Sequence, residues 1–99
     1  MHAHLRVVAG PDQGRVFNLI EGTTLSIGRG DTNDLALHDE FASARHARFE
    51  PRRDGVYVQD VGSTNGTFVN GQPVRRVVLT DGTQITLGRT TLVFRQERP

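Results

Sequence analysis

Apolar residues recur along the chain with period two, in short bursts. Leu5/Val7, Leu25/Ile27, Leu35/Leu37, Ala47/Phe49, Val56/Val58, Ile85/Leu87 and Leu92/Phe94 each put two apolar side chains on one face of an extended chain. Polar neighbours such as Arg6, Ser26, Arg48, Thr86 and Thr91 point the other way. Turn signals separate the bursts, at Gly10-Pro11-Asp12, Glu21-Gly22, Gly30-Asp31, Asp54-Gly55, Gly62 to Gly66, Asn70-Gly71, Asp81-Gly82 and Gly88. The segments between them, about four to eight residues each, are too short for ordinary helices. Asp54-Gly55 and Asn70-Gly71 read as tight hairpins of type I′, in which both central residues need φ > 0. Many short strands joined by frequent turns predict an all-β sandwich or barrel.

One stretch fits this pattern less well. Asp39 to Phe49 (DEFASARHARF) holds three alanines and begins with a potential N-cap, so propensity alone allows about two turns of helix. A helix that short is marginal unless packed, and Ser43 in its middle competes for backbone hydrogen bonds. Glu40 to Arg45 is therefore expected as a loop, with a strand from Ala47. No repeat, low-complexity tract or linker interrupts the chain. Residues 1–99 read as a single domain with its core between residues 5 and 95, and Gln96 to Pro99 as a polar tail that frays.

Composition narrows the class. A chain of 99 residues that is 35% hydrophobic can fill one core. No apolar run exceeds three residues, as in Val7-Val8-Ala9, against the ~20 needed to span a bilayer. No apolar segment of a secretory leader follows Met1. Cysteine is absent, which excludes disulfides and thiolate metal sites. Redox chemistry thus leaves the compartment open, and a cytoplasmic one is the default expectation. The net charge of +1, from 12 basic and 11 acidic residues, is too balanced for a generic nucleic-acid or anionic-membrane binder. All 12 basic residues are Arg, whose planar fork of donors suits carboxylate and phosphate. GC-rich coding accounts for the set as a whole, so each Arg has to be argued singly.

The familiar catalytic motifs are missing. Neither a G-x-S-x-G elbow nor H-E-x-x-H occurs, and an all-β domain of this size hardly builds a deep pocket as well, so no enzyme and no cofactor are expected. His2 and His4 could share a strand face as metal ligands, but with no third ligand nearby they read as an N-terminal strand edge. His38 reads as a solvated turn residue. Gly28-Arg29-Gly30 is a fragment of a phosphate-type glycine loop, yet neither a helix nor G-K-[ST] follows, which argues against a nucleotide site.

Three separated polar loops carry more information. They are Ile27-Gly28-Arg29-Gly30, Ala42-Ser43-Ala44-Arg45-His46, and Gly62-Ser63-Thr64-Asn65-Gly66-Thr67, the last followed by Phe68-Val69-Asn70-Gly71. Loops of a sandwich collect at its two ends. Brought to one end, these three would offer guanidinium, hydroxyl, amide and backbone N–H donors with few competing carboxylates, which is what an anion needs.

In this order and spacing, Gly28-Arg29, Ser43-x-x-His46, Gly62 to Thr67 and Asn70-Gly71 closely resemble the forkhead-associated (FHA) domain. Asn33-Asp34-Leu35 and the strand Val56 to Asp60 fit the same pattern, and the resemblance runs from about Leu5 to Arg95. It implies a sandwich of two twisted β-sheets with about eleven strands and the binding loops at one end. It also implies a non-catalytic module that reads phosphothreonine in partner proteins, an adaptor in Ser/Thr kinase signalling; the all-Arg basic set and the short, compact loops look bacterial rather than eukaryotic. By the resemblance, Arg29 clamps the phosphate and Ser43 donates its hydroxyl. Thr64 adds a second hydroxyl or a backbone donor, and Asn65 holds the main chain of the ligand. Gly28 and His46 are architectural, Gly28 leaving room for the loop and His46 holding Ser43, as are Gly62, Ser63, Gly66, Asn70 and Gly71. Arg45 either reaches the ligand or is solvated. Ala44 stands where some relatives carry a polar residue. No basic side chain occupies Phe41 or Ala42, in the loop that helps choose the downstream residues, so no strong preference for an acidic residue is expected there. The partners expected are phosphothreonine segments, substrates of Ser/Thr kinases or the autophosphorylated kinases themselves, bound by a monomer, with neither nucleic acid nor membrane involved. Two alternatives remain: a scaffolding sandwich whose phosphate site is unused, and an oligonucleotide-binding barrel. The barrel needs aromatics on a sheet face, whereas Phe17, Phe49, Phe68 and Phe94 read as core.

Overall fold

A computed structural model describes residues 2–97 of the chain. Eleven strands are seen among them: β1 (His2–Ala9), β2 (Val16–Leu19), β3 (Leu25–Gly28), β4 (Leu35–Ala36), β5 (Ala47–Arg52), β6 (Gly55–Asp60), β7 (Thr67–Val69), β8 (Gln72–Val74), β9 (Arg76–Val78), β10 (Gln84–Leu87) and β11 (Thr90–Glu97). They form two sheets, of order β2-β1-β11-β10-β7-β8 and β4-β3-β5-β6-β9. All neighbours run antiparallel except β3 and β4. This is the two-sheet sandwich of about eleven strands that the resemblance implied, and it does not close into a barrel.

The bursts of apolar residues become the facing surfaces of the two sheets. Leu5, Val7, Ile85, Leu87, Leu92 and Phe94 meet Ile27, Leu35, Ala47, Phe49, Val56 and Val58, each no more than 1% exposed. Period-two alternation on two sheets yields one shared core because each sheet buries a single face. Phe49 and Phe94 are fully buried, whereas Phe17 and Phe68 are only half-buried at the margin.

Three local expectations change. The longest ladder pairs the first strand with the last, from His2↔Glu97 to Ala9↔Thr91. Gln96 and Glu97 therefore belong to a strand and not to a frayed tail, because β1 supplies their hydrogen-bond partners; Arg98 and Pro99 lie outside the described residues. β1 is flanked by β2 and β11, so His2 and His4 are not on a sheet edge. Asn70-Gly71 does form a tight turn with both φ positive, 49° and 84°, between the paired Val69 and Gln72. The β5–β6 turn is centred one residue earlier than expected, on Arg53 and Asp54 between the paired Arg52 and Gly55. The positive φ falls on Gly55, at 152°, where β6 starts.

The 39–46 segment is a loop, and Asp39 explains why. Its carboxylate is 1% exposed and accepts from the N–H of Phe41 (2.9 Å) locally. It also accepts from the N–H of Arg89 (2.8 Å) and the hydroxyl of Thr90 (2.6 Å) across the sandwich. Burial pushes its carboxyl up, and the Thr90 hydroxyl with the backbone N–H donors more than offsets this, so the carboxyl lies below its ordinary value. A group that could cap a helix is spent tying the loop to the β10–β11 turn.

Candidate functional site

The loops after β3, between β4 and β5, and between β6 and β7 converge at one end of the sandwich. The end of β3 is laid against the second loop by backbone bonds, Arg29 N–H to Ser43 O (2.9 Å) and Gly30 N–H to Ala44 O (3.1 Å). The approach is so close that a Cβ on Gly28 would lie 2.4 Å from Ala44 O and 2.9 Å from Ser43 O. Glycine is required here by space rather than by a positive φ. The Asn33 amide NH2 bridges Gly30 O (2.6 Å) and Ala44 O (2.7 Å), fastening the same two loops.

His46 joins the second loop to the third. It is fully buried, accepts from Ser43 N–H at Nδ1 (3.0 Å) and donates from Nε2 to Gly66 O (2.8 Å). Both ring nitrogens are occupied, so the imidazole orients loops and is not placed as a base.

Asp60 shapes the third loop. Its carboxylate accepts from the N–H of Gly62 (2.8 Å) and Ser63 (2.9 Å), from the Ser63 hydroxyl at short range, and from the Thr67 hydroxyl (2.8 Å). Burial pushes the carboxyl up, but the Ser63 hydroxyl, the Ser63 and Gly62 N–H groups and the Thr67 hydroxyl outweigh it and hold it down at about 2. Ser63 Oγ in turn accepts from Gly66 N–H (2.9 Å). Gly62 and Gly66 take φ of 95° and 93°, which the tight loop needs and side-chain-bearing residues rarely adopt.

What the scaffold leaves outward is a set of donors. Arg29 spends Nε on Ala42 O (3.1 Å), which fixes the guanidinium while its outer nitrogens remain available. Among the described residues it makes no ion pair. Ser43 Oγ accepts from Thr64 N–H (3.0 Å), so its own proton is available outward. The Thr64 backbone donor is thereby consumed, which leaves the hydroxyl as that residue's contribution. Asn65, exposed beside Thr64, donates to Phe41 O (3.1 Å) and keeps its amide oxygen. Arg29, Ser43, Thr64 and Asn65 are thus assembled on a frame of Gly28, His46, Gly62, Ser63 and Gly66.

Two other groups lie apart. Arg45 is exposed and lines a cleft of about 280 Å³ with Ser26, Asn33, Ala47, Arg48 and Val61, beside the loops rather than between them. Asn70 and Gly71 are at the far end of β7 from the donors, where Asn70 Oδ1 accepts from Gln84 N–H (2.9 Å) and anchors the hairpin to β10.

Sequence reasoning missed Asp60, Asn33 and Asp39 as organisers, and Arg89. Asp60 had a signal, since an Asp two residues before Gly62-Ser63 is placed to accept from both amides. His38, expected to be merely solvated, is 84% exposed in its side chain yet holds Asp12 through Nδ1 (2.7 Å). The guanidinium of Arg89 stacks on the exposed Phe41 ring, 4.1 Å from its centre. A cation therefore does stand in the loop where the sequence shows none, delivered from a turn about fifty residues away.

Comparison with known proteins agrees with this geometry. The sequence profile of the FHA domain matches residues 25–88. The oxoglutarate dehydrogenase inhibitor of Corynebacterium jeikeium is 42% identical over 92 residues, 93% of this chain and 63% of that protein. The glycogen accumulation regulator GarA of Mycolicibacterium smegmatis is also 42% identical over 92 residues, 93% of this chain and 58% of that protein. The chain thus spans about three-fifths of the length of these relatives. A solved structure from a study of phosphothreonine-dependent FHA domain interactions superposes with a TM-score of 0.90 at 32% identity, covering 100% of both chains. With the sandwich, the three convergent loops and these likenesses together, the chain belongs to the FHA family, the non-catalytic modules that bind phosphothreonine peptides.

Proposed function

We propose that Arg29, Ser43 and Thr64 form the phosphate cradle of this FHA module and that Asn65 holds the main chain of the bound segment. The module then serves as a phosphopeptide-binding adaptor in Ser/Thr kinase signalling, a monomer working in the cytoplasm where such kinases act. The observation that carries this reading is the unpaired Arg29. Its guanidinium is fixed by Ala42 O, makes no ion pair among the described residues, and stands beside the hydroxyl-bearing Ser43 and Thr64 of two other loops. Asp60 and Asp39, the carboxylates that tie these loops down, are saturated by neutral donors and draw in no arginine side chain. Phosphothreonine offers a charge of about −1.5 to −2 and three acceptor oxygens, which suits a fork and two hydroxyls better than a carboxylate ligand does. The curated relatives are named for effects on oxoglutarate dehydrogenase and on glycogen accumulation. A regulated metabolic enzyme is therefore the class of partner we propose.

The test is calorimetric titration of a phosphothreonine peptide, its unphosphorylated twin and its Glu-substituted form. Binding should need the phosphate. Arg29→Ala should weaken it about tenfold to a hundredfold, the worth of a charge-assisted paired donor, with the melting temperature unchanged. Equal binding by a folded Arg29→Ala variant overturns the assignment.

A further inference from the structure

The outward face of β5, β6 and β9 carries a second concentration of arginine that phosphate binding does not use. Glu50 points to this outer face yet is 4% exposed, because guanidiniums fold over it. Arg48 Nε lies 3.0 Å from Oε2, Arg76 Nη2 3.1 Å from Oε1, and Arg52 Nη2 3.8 Å from Oε1. Arg48 is held further by Gln59 (3.0 Å), and Arg76 lies over the Tyr57 ring at 4.2 Å. Glu50 cancels one charge and Asp54, which accepts from the Tyr57 hydroxyl (2.9 Å), cancels a second, so the three cations leave an excess of one on the face. Their side chains are 43–57% exposed, with ring stacking and ion pairs fixing their directions. Arg45 adds another positive charge and has no partner among the described residues. The face and the adjoining cleft together carry an excess of two, on a chain whose net charge is +1.

The face is continuous with the phosphate loops. The cleft lined by Ser26, Asn33, Arg45, Ala47, Arg48 and Val61 lies between them. Asn33 at its inner end binds Ala44 O, one residue from Ser43. Its Oδ1 is buried without a partner. Arg48 and Arg52 lie four residues apart on β5, about 13 Å at strand rise, the length of roughly four extended residues.

We propose that this face docks an acidic stretch of the same phosphorylated segment, continuing from the phosphothreonine through the cleft onto Arg45, Arg48, Arg52 and Arg76. The proposal rests on the phosphothreonine reading. A peptide is favoured over nucleic acid because the aromatic ring of the face, Tyr57, is covered by Arg76 and offers no stacking surface. Fixed guanidinium forks suit carboxylates.

The experiment uses a short phosphothreonine peptide, the same peptide extended by eight residues on either side with Asp/Glu-rich or Ser/Gly sequence, and a 20-base-pair DNA duplex. Arg45 and Arg52 are the residues to change, since Arg48 and Arg76 hold the buried Glu50. On one side the acidic extension should tighten binding roughly tenfold at 50 mM salt, and the gain should vanish near 1 M as screening shortens to about 3 Å. The double variant Arg45→Glu/Arg52→Glu should lose the gain while binding the short peptide as wild type does. Glu50→Gln, which adds one net positive charge to the face, should enlarge the gain. The proposal is overturned if acidic and Ser/Gly extensions bind alike on both sides, if the double variant keeps the gain, or if the duplex binds the face as tightly as the acidic extension. Failure of the short peptide to bind, by contrast, indicts the phosphothreonine reading itself.

Discussion

Asp60 and Glu50 are the two carboxylates around which the β5–β6 half of the sandwich is organised, and they are saturated in opposite ways. Asp60 is surrounded by neutral donors from its own loop, two N–H groups and two hydroxyls within seven residues. Glu50 is surrounded by cations from β5 and β9. Neutral donors turn a carboxylate into a clamp for a loop without drawing in any arginine, so Arg29 stays unpaired for an anion. Cationic partners turn a carboxylate into a holder for arginines and leave positive charge over. The same side-chain chemistry thus builds a rigid donor site in one place and a charged docking face in another.

The difference can be broken most sharply at Asp60. Asp60→Ala should cost about 3 kcal/mol in chemical denaturation, because four donors, three of them on the buried or half-buried Ser63 and Thr67, lose one charged acceptor, and peptide binding should fall with it. Asp60→Asn should recover part of both. If Asp60→Ala costs no more than Glu50→Ala, the clamp and the holder are not distinct.

His46→Ala removes the neutral bridge between the second and third loops. The expected loss is about 2 kcal/mol, with binding weakened through loosened loops. An unchanged melting temperature with abolished binding would instead make the imidazole a direct ligand contact.

Acid separates the clamp from the ligand. The folded-state carboxyl of Asp60, at about 2, lies below its ordinary value of 3.8, so its stabilisation is present above about pH 4 and is lost as pH falls toward 2. Amide exchange at Gly62 and Ser63 should speed up in that window. Peptide affinity should decline earlier, between about pH 7.5 and 5.5, as the phosphate takes up its second proton near 6. Loss of amide protection already at pH 6 would uncouple the loop from Asp60.

The smallest effect belongs to the holder. Arg52, at 3.8 Å and more than half exposed, should change stability by no more than about 0.5 kcal/mol on substitution by alanine. A larger loss would show that the arginine cluster is structural and would remove the contrast with Asp60.

Much of the frame was legible in sequence because it follows from local rules. Period-two bursts such as Val56/Val58 and Leu92/Phe94 dictate strands with one buried face, and Asn70-Gly71 dictates a turn with positive φ. Order and spacing of the Gly28-Arg29, Ser43-x-x-His46 and Gly62 to Thr67 motifs were enough to point to the family. What the tertiary structure alone decided is how distant groups share partners. Asp39 gives its carboxylate to Arg89 and Thr90 about fifty residues away, so a possible helix becomes a loop. Arg89 reaches Phe41 by the same tie. Gln96 is strand rather than tail because Ala3 lies opposite it. Hydrogen-bond and ion-pair partners are set by proximity in space, and in a sandwich of two sheets most neighbours in space are remote in sequence, where no local pattern records them.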